Sequence, residues 1–394
     1  MSAPAPSFTF ARAPRVVFGA GRLRELPKLA GSFGRKALLV TGARSFARGE
    51  RWDALTDALE DAGISVAHES VEGEPSPEFV DRAAAEHRDR GCAVVVGIGG
   101  GSAIDAAKAV SAMLGEPGSV VEYLEGVGTR THSGGKLPVI AVPTTAGAGS
   151  EATKNAVLSQ VGPKGFKKSL RHDRFIPDIA LVDPELTLSC PPGVSAACGV
   201  DAFTQLLESF VSTQANPLTD ALAWSGLEAV RDSLVPACTE GTDLAARTGM
   251  AYASLMSGMT LANAGLGVIH GLAGPIGGFF PAPHGALCGT LAAPAIEHTA
   301  RALRAGQGPD CPGLRKYAAV GALLCGTDQR DTQACCQALV DRVRQWCAAL
   351  NLPRLRDYGV SEGSLDRILD AAENKSNPVA LDRETLRAIL RDRL

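Results

Sequence analysis

Residues 92–114 read CAVVVGIGGGSAIDAAKAVSAML, and this stretch decides the fold class. The apolar run 92–98 has the length and branched composition of a buried strand, and Gly99, Gly100 and Gly101 separate it from a segment with helical spacing. A glycine turn between a strand and a helix lets backbone N–H groups approach an anion at the positive end of the helix dipole. The stretch therefore predicts a strand, a turn and a helix that could cradle a phosphate, or else a tight turn without a ligand.

Short apolar runs alternate with helical segments on both sides of this unit. The predicted elements are a strand at 36–40, a helix at 50–63, a strand at 64–67, a helix at 76–91 and a strand at 138–142. Strands that alternate with amphipathic helices are typical of a parallel, doubly wound sheet. The N-terminal part is therefore predicted to be an α/β dinucleotide-binding domain with a parallel sheet.

The pattern changes near residue 190. Residues 179–186, IALVDPEL, favour one more strand, and the break SCPPG follows at 189–193. Beyond the break, long segments have helical periodicity, and no repeat of solenoid length is present. The chain is therefore predicted to comprise an α/β dinucleotide-binding domain at 1–190 and an all-helical metal and substrate domain at 191–394, as its 394 residues favour two packed domains.

Composition narrows the class of protein. Hydrophobic residues make up 45% and charged residues 21%, which is typical of a globular protein, and the formal net charge of −3 gives no electrostatic reason to expect nucleic acid as a partner. The sequence shows neither a secretory signal nor an apolar stretch of membrane-spanning length, so a cytoplasmic location without membrane contact is expected. The ten cysteines form no CxxC pair, and most are expected to be reduced and buried.

A second loop of small and polar residues follows the strand at 138–142. It reads PTTAGAGSE at 143–151, and we refer to it as the small-residue loop. In a parallel sheet, two loops at the carboxyl ends of strands converge on the crevice where such folds bind nucleotides. The pair of loops is a more specific indication of a dinucleotide site than either loop alone.

Two of the seven histidines have an unusual setting. His270 and His284 bracket an apolar, glycine-rich segment, although each taken alone is more often a satisfied core histidine than a ligand. Asp201 and Gln205 lie four residues apart on a predicted helix, so their side chains share one face. Such a set could bind Zn²⁺ or Fe²⁺ and leave a position for a substrate oxygen.

Several segments resemble the signatures of the iron-containing (group III) alcohol dehydrogenases, within the dehydroquinate-synthase-like superfamily. They are GGGSAIDAAKAVS at 99–111, PTTAGAGSEATKNAVL at 143–158, ALVDPELTLSCPP at 180–192, GVDAFTQLLESFVS at 199–212 and GLGVIHGLAGPIGGFFPAPHG at 265–285. The segment at 15–42 also fits, so that the resemblance covers nearly the whole chain.

The resemblance implies roles for individual residues. The residues implied at the dinucleotide phosphates and nearby groups are Gly100, Gly101, Ser102 and Asp105; those around the nicotinamide half are Thr144, Thr145 and Ser150; and Lys167 is implied near the cofactor ribose. The implied metal ligands are Asp201, Gln205, His270 and His284, of which Asp201, His270 and His284 are also expected to act in catalysis.

Two positions depart from the family pattern. Gln205 stands where the family has a histidine ligand, and its amide oxygen is a weaker, neutral donor. Gly274 stands four residues after His270, where many members carry a histidine that helps proton transfer. Occupancy by Fe²⁺ or Zn²⁺ is therefore an open question, and the proton must come from water, a cofactor hydroxyl or another side chain.

A third position bears on the choice between NAD and NADP. Residues 41–45 read TGARS, without the aspartate that NAD-preferring members often place after the first strand. Gly42 and Arg44 are expected at the cofactor, and Arg44 could pair with a 2′-phosphate, which slightly favours NADP. A solvated Arg44 is the alternative.

These observations predict a metal-dependent NAD(P) oxidoreductase that acts on a small alcohol, aldehyde or ketone. Two alternatives are a lyase or synthase that recycles its NAD within one turnover, and a metal-free member that binds only the dinucleotide. Net production of NAD(P)H distinguishes the oxidoreductase from the lyase or synthase. The metal content of the protein distinguishes it from the metal-free member. The resemblance further implies a homodimer or larger homo-oligomer.

Overall fold

A computed structural model describes residues 7–43, 46–328 and 330–394. The described residues form eight strands, β1 Arg15–Phe18, β2 Lys36–Gly42, β3 Ser65–Val71, β4 Val94–Gly99, β5 Val139–Pro143, β6 Asn155–Gln160, β7 Phe166–Arg171 and β8 Ile179–Val182. Six of them form one sheet in the order β1-β8-β5-β4-β2-β3, with every pair parallel. The predicted parallel sheet is confirmed.

The helices of the N-terminal part alternate with these strands. They are α1 Leu26–Gly31, α2 Glu50–Asp61, α3 Pro77–His87 and α4 Gly101–Met113. The start of α3 follows from its sequence, because Ser76 accepts a hydrogen bond from Phe79 N at 3.2 Å and Pro77 occupies the first helical position. These helices cover both faces of the sheet, and two apolar clusters lie between them and the strands.

The chain after residue 191 is helical throughout its described part, as predicted. Its helices are α5 Pro192–Val211, α6 Pro217–Thr239, α7 Leu244–Ala264, α8 Val268–Phe279, α9 His284–Gln307, α10 Pro312–Cys325, α11 Thr332–Ala349, α12 Leu365–Ala371 and α13 Arg383–Asp392. They pack around the largest apolar cluster of the molecule. The domain limit at residue 190 stays a prediction, although α5 does begin within the SCPPG break, with proline at its first position.

Two features of the N-terminal half were not specified by the sequence. Strand β1 pairs in parallel with β8 inside the same chain, so residues 15–18 form one edge of this sheet. Strands β6 and β7 form a separate antiparallel hairpin. The turn residues Gly162, Pro163 and Gly165 between two alternating runs are a signal from which the hairpin could have been predicted.

The length and the apolar character of the helices bear on whether any of them could cross a membrane. Among the described residues, no helix is both long enough and apolar enough to cross a bilayer.

Candidate active site

The glycine turn at residues 99–101 lies against the small-residue loop at 143–151. Gly99 ends β4 with φ +155°, a conformation that favours glycine, and Gly101 is the first residue of α4. A Cβ on Gly101 would lie 2.7 Å from the Cβ of Ala148, closer than such atoms pack, and Thr144 N donates to Gly99 O at 2.9 Å. The two loops therefore touch, and residue 101 has no space for a side chain.

The remaining residues expected at the dinucleotide surround this turn. Ser102 lies in the first turn of α4, and the hydroxyl oxygen of Thr145 would lie 3.3 Å from a Cβ on Gly100. Gly42 ends β2 beside Gly99. Arg44 lies outside the described residues. The backbone N–H groups at the start of α4 thus stand at the carboxyl ends of β2, β4 and β5, where parallel sheets bind nucleotides.

Asp105 and Ser150 contact each other and hold the small-residue loop. The Ser150 hydroxyl donates to one oxygen of Asp105, and Val157 N donates to the other at 3.0 Å. Lys108, which is fully buried, lies 2.9 Å from Asp105 Oδ1 and donates to Ser150 O at 3.0 Å and to Thr153 Oγ1 at 2.9 Å. Helix α4 therefore fixes the loop through a buried ion pair, a connection that the sequence analysis missed.

Lys167 extends from the hairpin strand β7 toward the helical half. Its ammonium pairs with Glu74, and a Cβ on Gly277 of α8 would lie 3.4 Å from its Cδ. Burial, followed by the positive charge of Lys167, lowers the pKa of His284 to about 3. Lys167 is therefore close enough to His284 to affect its charge.

Three helices contribute the residues that the sequence analysis selected as metal ligands. Asp201 and Gln205 lie on α5, His270 lies on α8, and His284 is the first residue of α9. A Cβ on Gly285 would lie 2.4 Å from Ala197 O on α5. The glycine after His284 thus permits the close approach that places this histidine beside Asp201.

The structure brings Asp201, His270 and His284 together and adds Cys288; we refer to these four residues as the metal centre. One potential ligand atom from each lies within 4.8 Å of the other three. His270 Nε2 is 3.3 Å from Asp201 Oδ1, and Cys288 Sγ is 3.7 Å from His284 Nε2. The donors are one carboxylate, two imidazoles and one thiol, a set that suits a transition metal.

Three atoms of this centre, Asp201 Oδ1, His270 Nε2 and His284 Nδ1, are buried without a hydrogen bond among the described residues. Asp201 and His270 are only 3% and 4% exposed. An unsatisfied buried polar atom is costly unless another group binds it. A divalent cation between Asp201 Oδ1 and His270 Nε2 would satisfy both of these atoms, so the residues present fit the metal that the sequence predicts.

Glu208 holds His270 in position. One of its oxygens accepts from Ile269 N at 2.6 Å, and the other lies 2.7 Å from His270 Nδ1. When the neutral imidazole donates its Nδ1 proton to this carboxylate, its Nε2 lone pair faces Asp201. A carboxylate behind a ligating histidine fixes the ring and raises its basicity, as is common at metal sites.

The pKa values in this centre reflect burial and mutual charge. Burial raises the pKa of Asp201, but the adjacent His270 and His284 outweigh it and lower the pKa to about 2. Burial lowers the pKa of His270, but Cys288, Asp201 and Glu208 raise it well above 6.5. Burial raises the pKa of Cys288 to about 12. The centre therefore holds an ionised carboxylate that attracts a positive charge.

The two positions that depart from the family pattern have distinct surroundings. Gln205 Oε1 accepts a hydrogen bond from Ser257 Oγ on α7 at 2.9 Å. No heavy atom of the described residues lies within 4 Å of where a Cβ on Gly274 would stand, apart from its own helix and chain neighbours. The amide at 205 is therefore engaged with a neighbour, and the space at 274 is open.

The sequence analysis missed Cys288, Glu208 and Ser257. Helical spacing offered a signal for the first two, because Cys288 lies four residues after His284 and Glu208 lies seven residues after Asp201, each on the same helix face as the selected residue. Ser257 carries no such signal, since its contact with Gln205 depends on how α7 packs against α5.

Comparison with known proteins agrees with this architecture. The family model described as iron-containing alcohol dehydrogenase matches residues 13–184, and the C-terminal model of the Fe-containing alcohol dehydrogenase family matches residues 195–394. The chain is 33% identical over 385 residues to alcohol dehydrogenase 4 of Saccharomyces cerevisiae, covering 96% of each chain. It is 32% identical over 285 residues to an NAD-dependent methanol dehydrogenase of Bacillus methanolicus, covering 72% of this chain and 73% of the relative.

A solved structure is similar over the full length. The crystal structure of a 1,3-propanediol oxidoreductase matches with a TM-score of 0.87 and 29% identity, covering 99% of this chain and 100% of that one. The relatives are alcohol oxidoreductases by name, which supports an oxidoreductase that acts on alcohols. The two family models together cover nearly all of the sequence, and the chain therefore belongs to the iron-containing alcohol dehydrogenase family.

Proposed function

We propose that this protein is a metal-dependent alcohol dehydrogenase that transfers a hydride between NAD(P)(H) and a small alcohol, aldehyde or ketone. The observation that carries the proposal is the pair of buried, unpartnered atoms Asp201 Oδ1 and His270 Nε2, 3.3 Å apart. A bound Fe²⁺ or Zn²⁺ would act as a Lewis acid on the substrate oxygen. Asp201, His270 and His284 would hold that ion.

The packing of the chain couples the two sites. The Ser257 hydroxyl lies 3.4 Å from Gly147 O in the small-residue loop and 2.9 Å from Gln205 Oε1 on α5. The loop that lies on the glycine turn is therefore connected through Ser257 to the helix that carries Asp201. This contact favours a function in which the cofactor and the metal-bound substrate react with each other, because hydride transfer requires the two to be adjacent.

The route of the proton follows from what surrounds Gly274. The open space at this position offers room for water where many relatives carry a histidine. We propose that water or a cofactor hydroxyl exchanges the alcohol proton. The proposed substrates are small and uncharged, because the centre's own charge comes from buried Asp201 and Glu208 rather than from an arginine cluster.

The cofactor is NAD or NADP. The glycine turn and the small-residue loop support binding of either pyrophosphate, and the relative from Bacillus methanolicus is named as NAD-dependent. Arg44 is the residue that we propose would pair with a 2′-phosphate. The family resemblance further supports a homodimer or larger homo-oligomer.

The test combines metal analysis with production of reduced cofactor. We expect about one Fe or Zn per chain, and net formation of NADH or NADPH from short primary alcohols that stops after chelation and returns when the ion is restored. Turnover without net NAD(P)H would instead indicate a lyase or synthase. Dinucleotide binding without any metal, even after reconstitution, would indicate the metal-free alternative and overturn the proposal.

A further inference from the structure

We propose that Cys288 Sγ is a protein ligand of the metal ion and takes the place that the family pattern gives to the side chain at position 205. The inference rests on the proposed function only in that both require a divalent ion at Asp201, His270 and His284. Cys288 is buried, lies one helical turn after His284 on α9, and is the fourth residue of the metal centre.

Two distances between ligand atoms of the centre agree with pairs of ligands that share one ion. A tetrahedral zinc ion separates two nitrogen or oxygen ligands by about 3.3 Å, and a nitrogen from a sulfur ligand by about 3.6 Å. The observed separations are 3.3 Å between His270 Nε2 and Asp201 Oδ1, and 3.7 Å between His284 Nε2 and Cys288 Sγ. Each of these two pairs of side-chain atoms is therefore spaced as two ligands of one ion would be.

Gln205 is a poorer candidate for the fourth position. Its amide oxygen lies 2.9 Å from Ser257 Oγ, a hydroxyl that shares its one proton between this oxygen and Ser254 O at 2.8 Å. An amide oxygen is also a neutral donor, whereas a thiolate carries a full negative charge and is a strong ligand for Zn²⁺. With glutamine in place of the family's histidine, position 205 does not provide a strong fourth ligand, and Cys288 is positioned to provide one.

Coordination by sulfur has a defined chemical consequence. The Cys288 thiol loses its proton to solvent as the sulfur–metal bond forms, so that metal binding releases a proton from this residue. A soft thiolate ligand favours binding of Zn²⁺ over binding of Fe²⁺, which a harder set of ligands suits better. We therefore expect this chain to retain Zn²⁺ at least about tenfold more tightly than Fe²⁺ under anaerobic, reducing conditions.

Cobalt is the probe, because it occupies zinc sites and reports on sulfur ligation. The full-length protein is depleted of metal with a chelator and titrated with Co²⁺ under reducing conditions. We expect one equivalent of Co²⁺ to produce a near-ultraviolet thiolate-to-cobalt charge-transfer band. Cys288→Ser should abolish this band and weaken Co²⁺ binding by about tenfold or more.

Cys347→Ser is the matched control. Cys347 is also buried, lies on α11 against the same helix α9, and donates a hydrogen bond to Gly289 O at 3.3 Å that serine can replace. This variant should keep the band. Gln205→Ala should also keep it and should change Co²⁺ affinity by less than about threefold, whereas a ligand at 205 would make this variant lose affinity.

The outcomes separate this inference from the proposed function. Stoichiometric Co²⁺ binding without a thiolate band, or a band that survives in Cys288→Ser, would overturn the role of Cys288 and leave the proposed alcohol dehydrogenase intact. A band that depends on Cys288 in a protein that forms no NAD(P)H from alcohols would support the ligand and overturn the activity. A wild-type protein that binds no Co²⁺ would overturn both.

Discussion

The glycine turn is made from the backbone of three consecutive residues, whereas the metal centre takes its atoms from side chains on three helices. Gly99, Gly100 and Gly101 follow one another between β4 and α4. Asp201, His270 and His284 are as many as 83 residues apart and meet only because α5, α8 and α9 pack together.

This contrast determines how each site can fail. An anion site built from backbone N–H groups depends on space, so it is damaged by adding atoms. A metal centre built from side chains depends on donors and on the groups that orient them, so it is damaged by removing atoms. The following predictions test this distinction, beginning with the largest expected effect.

Asp201→Ala should abolish the metal centre while the glycine turn stays intact. The carboxylate is buried and ionised, and its loss removes the negative oxygen that lies 3.3 Å from His270 Nε2. We expect kcat/KM for alcohol oxidation to fall by about 10³-fold and metal content to fall with it. NAD(P)H fluorescence titration should give a Kd within about threefold of wild type. Asp232→Ala, on the exposed face of α6, is the control and should leave kcat/KM, metal content and the Kd for NAD(P)H unchanged. A loss of cofactor binding in Asp201→Ala comparable to its loss of activity would contradict the claim that the two sites are independent.

Lys108→Met tests whether the cofactor site depends on a side chain as well as on the backbone of the glycine turn. Removing this buried ammonium leaves Asp105 without its ion-pair partner and frees Ser150 O and Thr153 Oγ1. The expected cost is about 3 kcal/mol in the free energy of unfolding, measured by urea denaturation. Lys28→Met, on the exposed side of α1, is the control. A loss below about 1 kcal/mol would mean that the Lys108 ion pair contributes little to holding the small-residue loop.

Glu208→Gln should weaken the metal centre without removing a ligand. The amide can retain one of the two contacts to Ile269 N and His270 Nδ1, but it lacks the charge that orients the imidazole. Metal affinity, measured by competition with a chromophoric chelator, should fall about 10- to 100-fold. Glu228→Gln on α6 provides a control at an exposed position. Unchanged affinity would show that packing alone orients His270.

Gly101→Ala should damage the cofactor site by adding a single methyl group. That carbon would lie 2.7 Å from Ala148 Cβ, so the small-residue loop must move away from the turn. We expect NAD(P)H affinity to fall about tenfold while metal content stays at the wild-type level. Gly115→Ala is the matched control, because no described atom lies within 4 Å of its added methyl group beyond its own neighbours. Equal effects of the two variants would refute the steric explanation.

Much of the fold followed from local pattern. The strands predicted at 36–40, 92–98 and 138–142 correspond to β2, β4 and β5, because buried parallel strands are short, continuous apolar runs bounded by turns. The strand predicted at 64–67 extends to Val71 as the edge strand β3, whose second half is polar and therefore gives no apolar run. The hairpin of β6 and β7 was not recognised, since its strands are half-exposed and carry charged residues such as Lys167 and Lys168. Pairing of β1 with β8 was likewise undecided, because partners 164 residues apart in sequence leave no local trace.

The residues of the candidate site also fall into those that the sequence predicted and those that depend on tertiary packing. Asp201, His270 and His284 were selected from residue type, spacing and family resemblance, and the structure brings them together. Gln205 was selected in the same way. Its hydrogen bond to Ser257 depends on the packing of α7, which helical periodicity does not predict. Cys288 was passed over because a lone cysteine in an apolar helix is usually a small core residue.

The sequence by itself determined the parallel sheet, the glycine turn and the helical second half, because these depend on short-range periodicity and on the conformational freedom of glycine. The ligand residues were implied by the resemblance of their segments to the family. Tertiary structure alone decided that Glu208 orients His270, that Lys108 fixes the small-residue loop and that Cys288 faces His284. These contacts join helices and loops whose relative placement follows from the packing of whole apolar faces, a quantity to which many distant residues contribute.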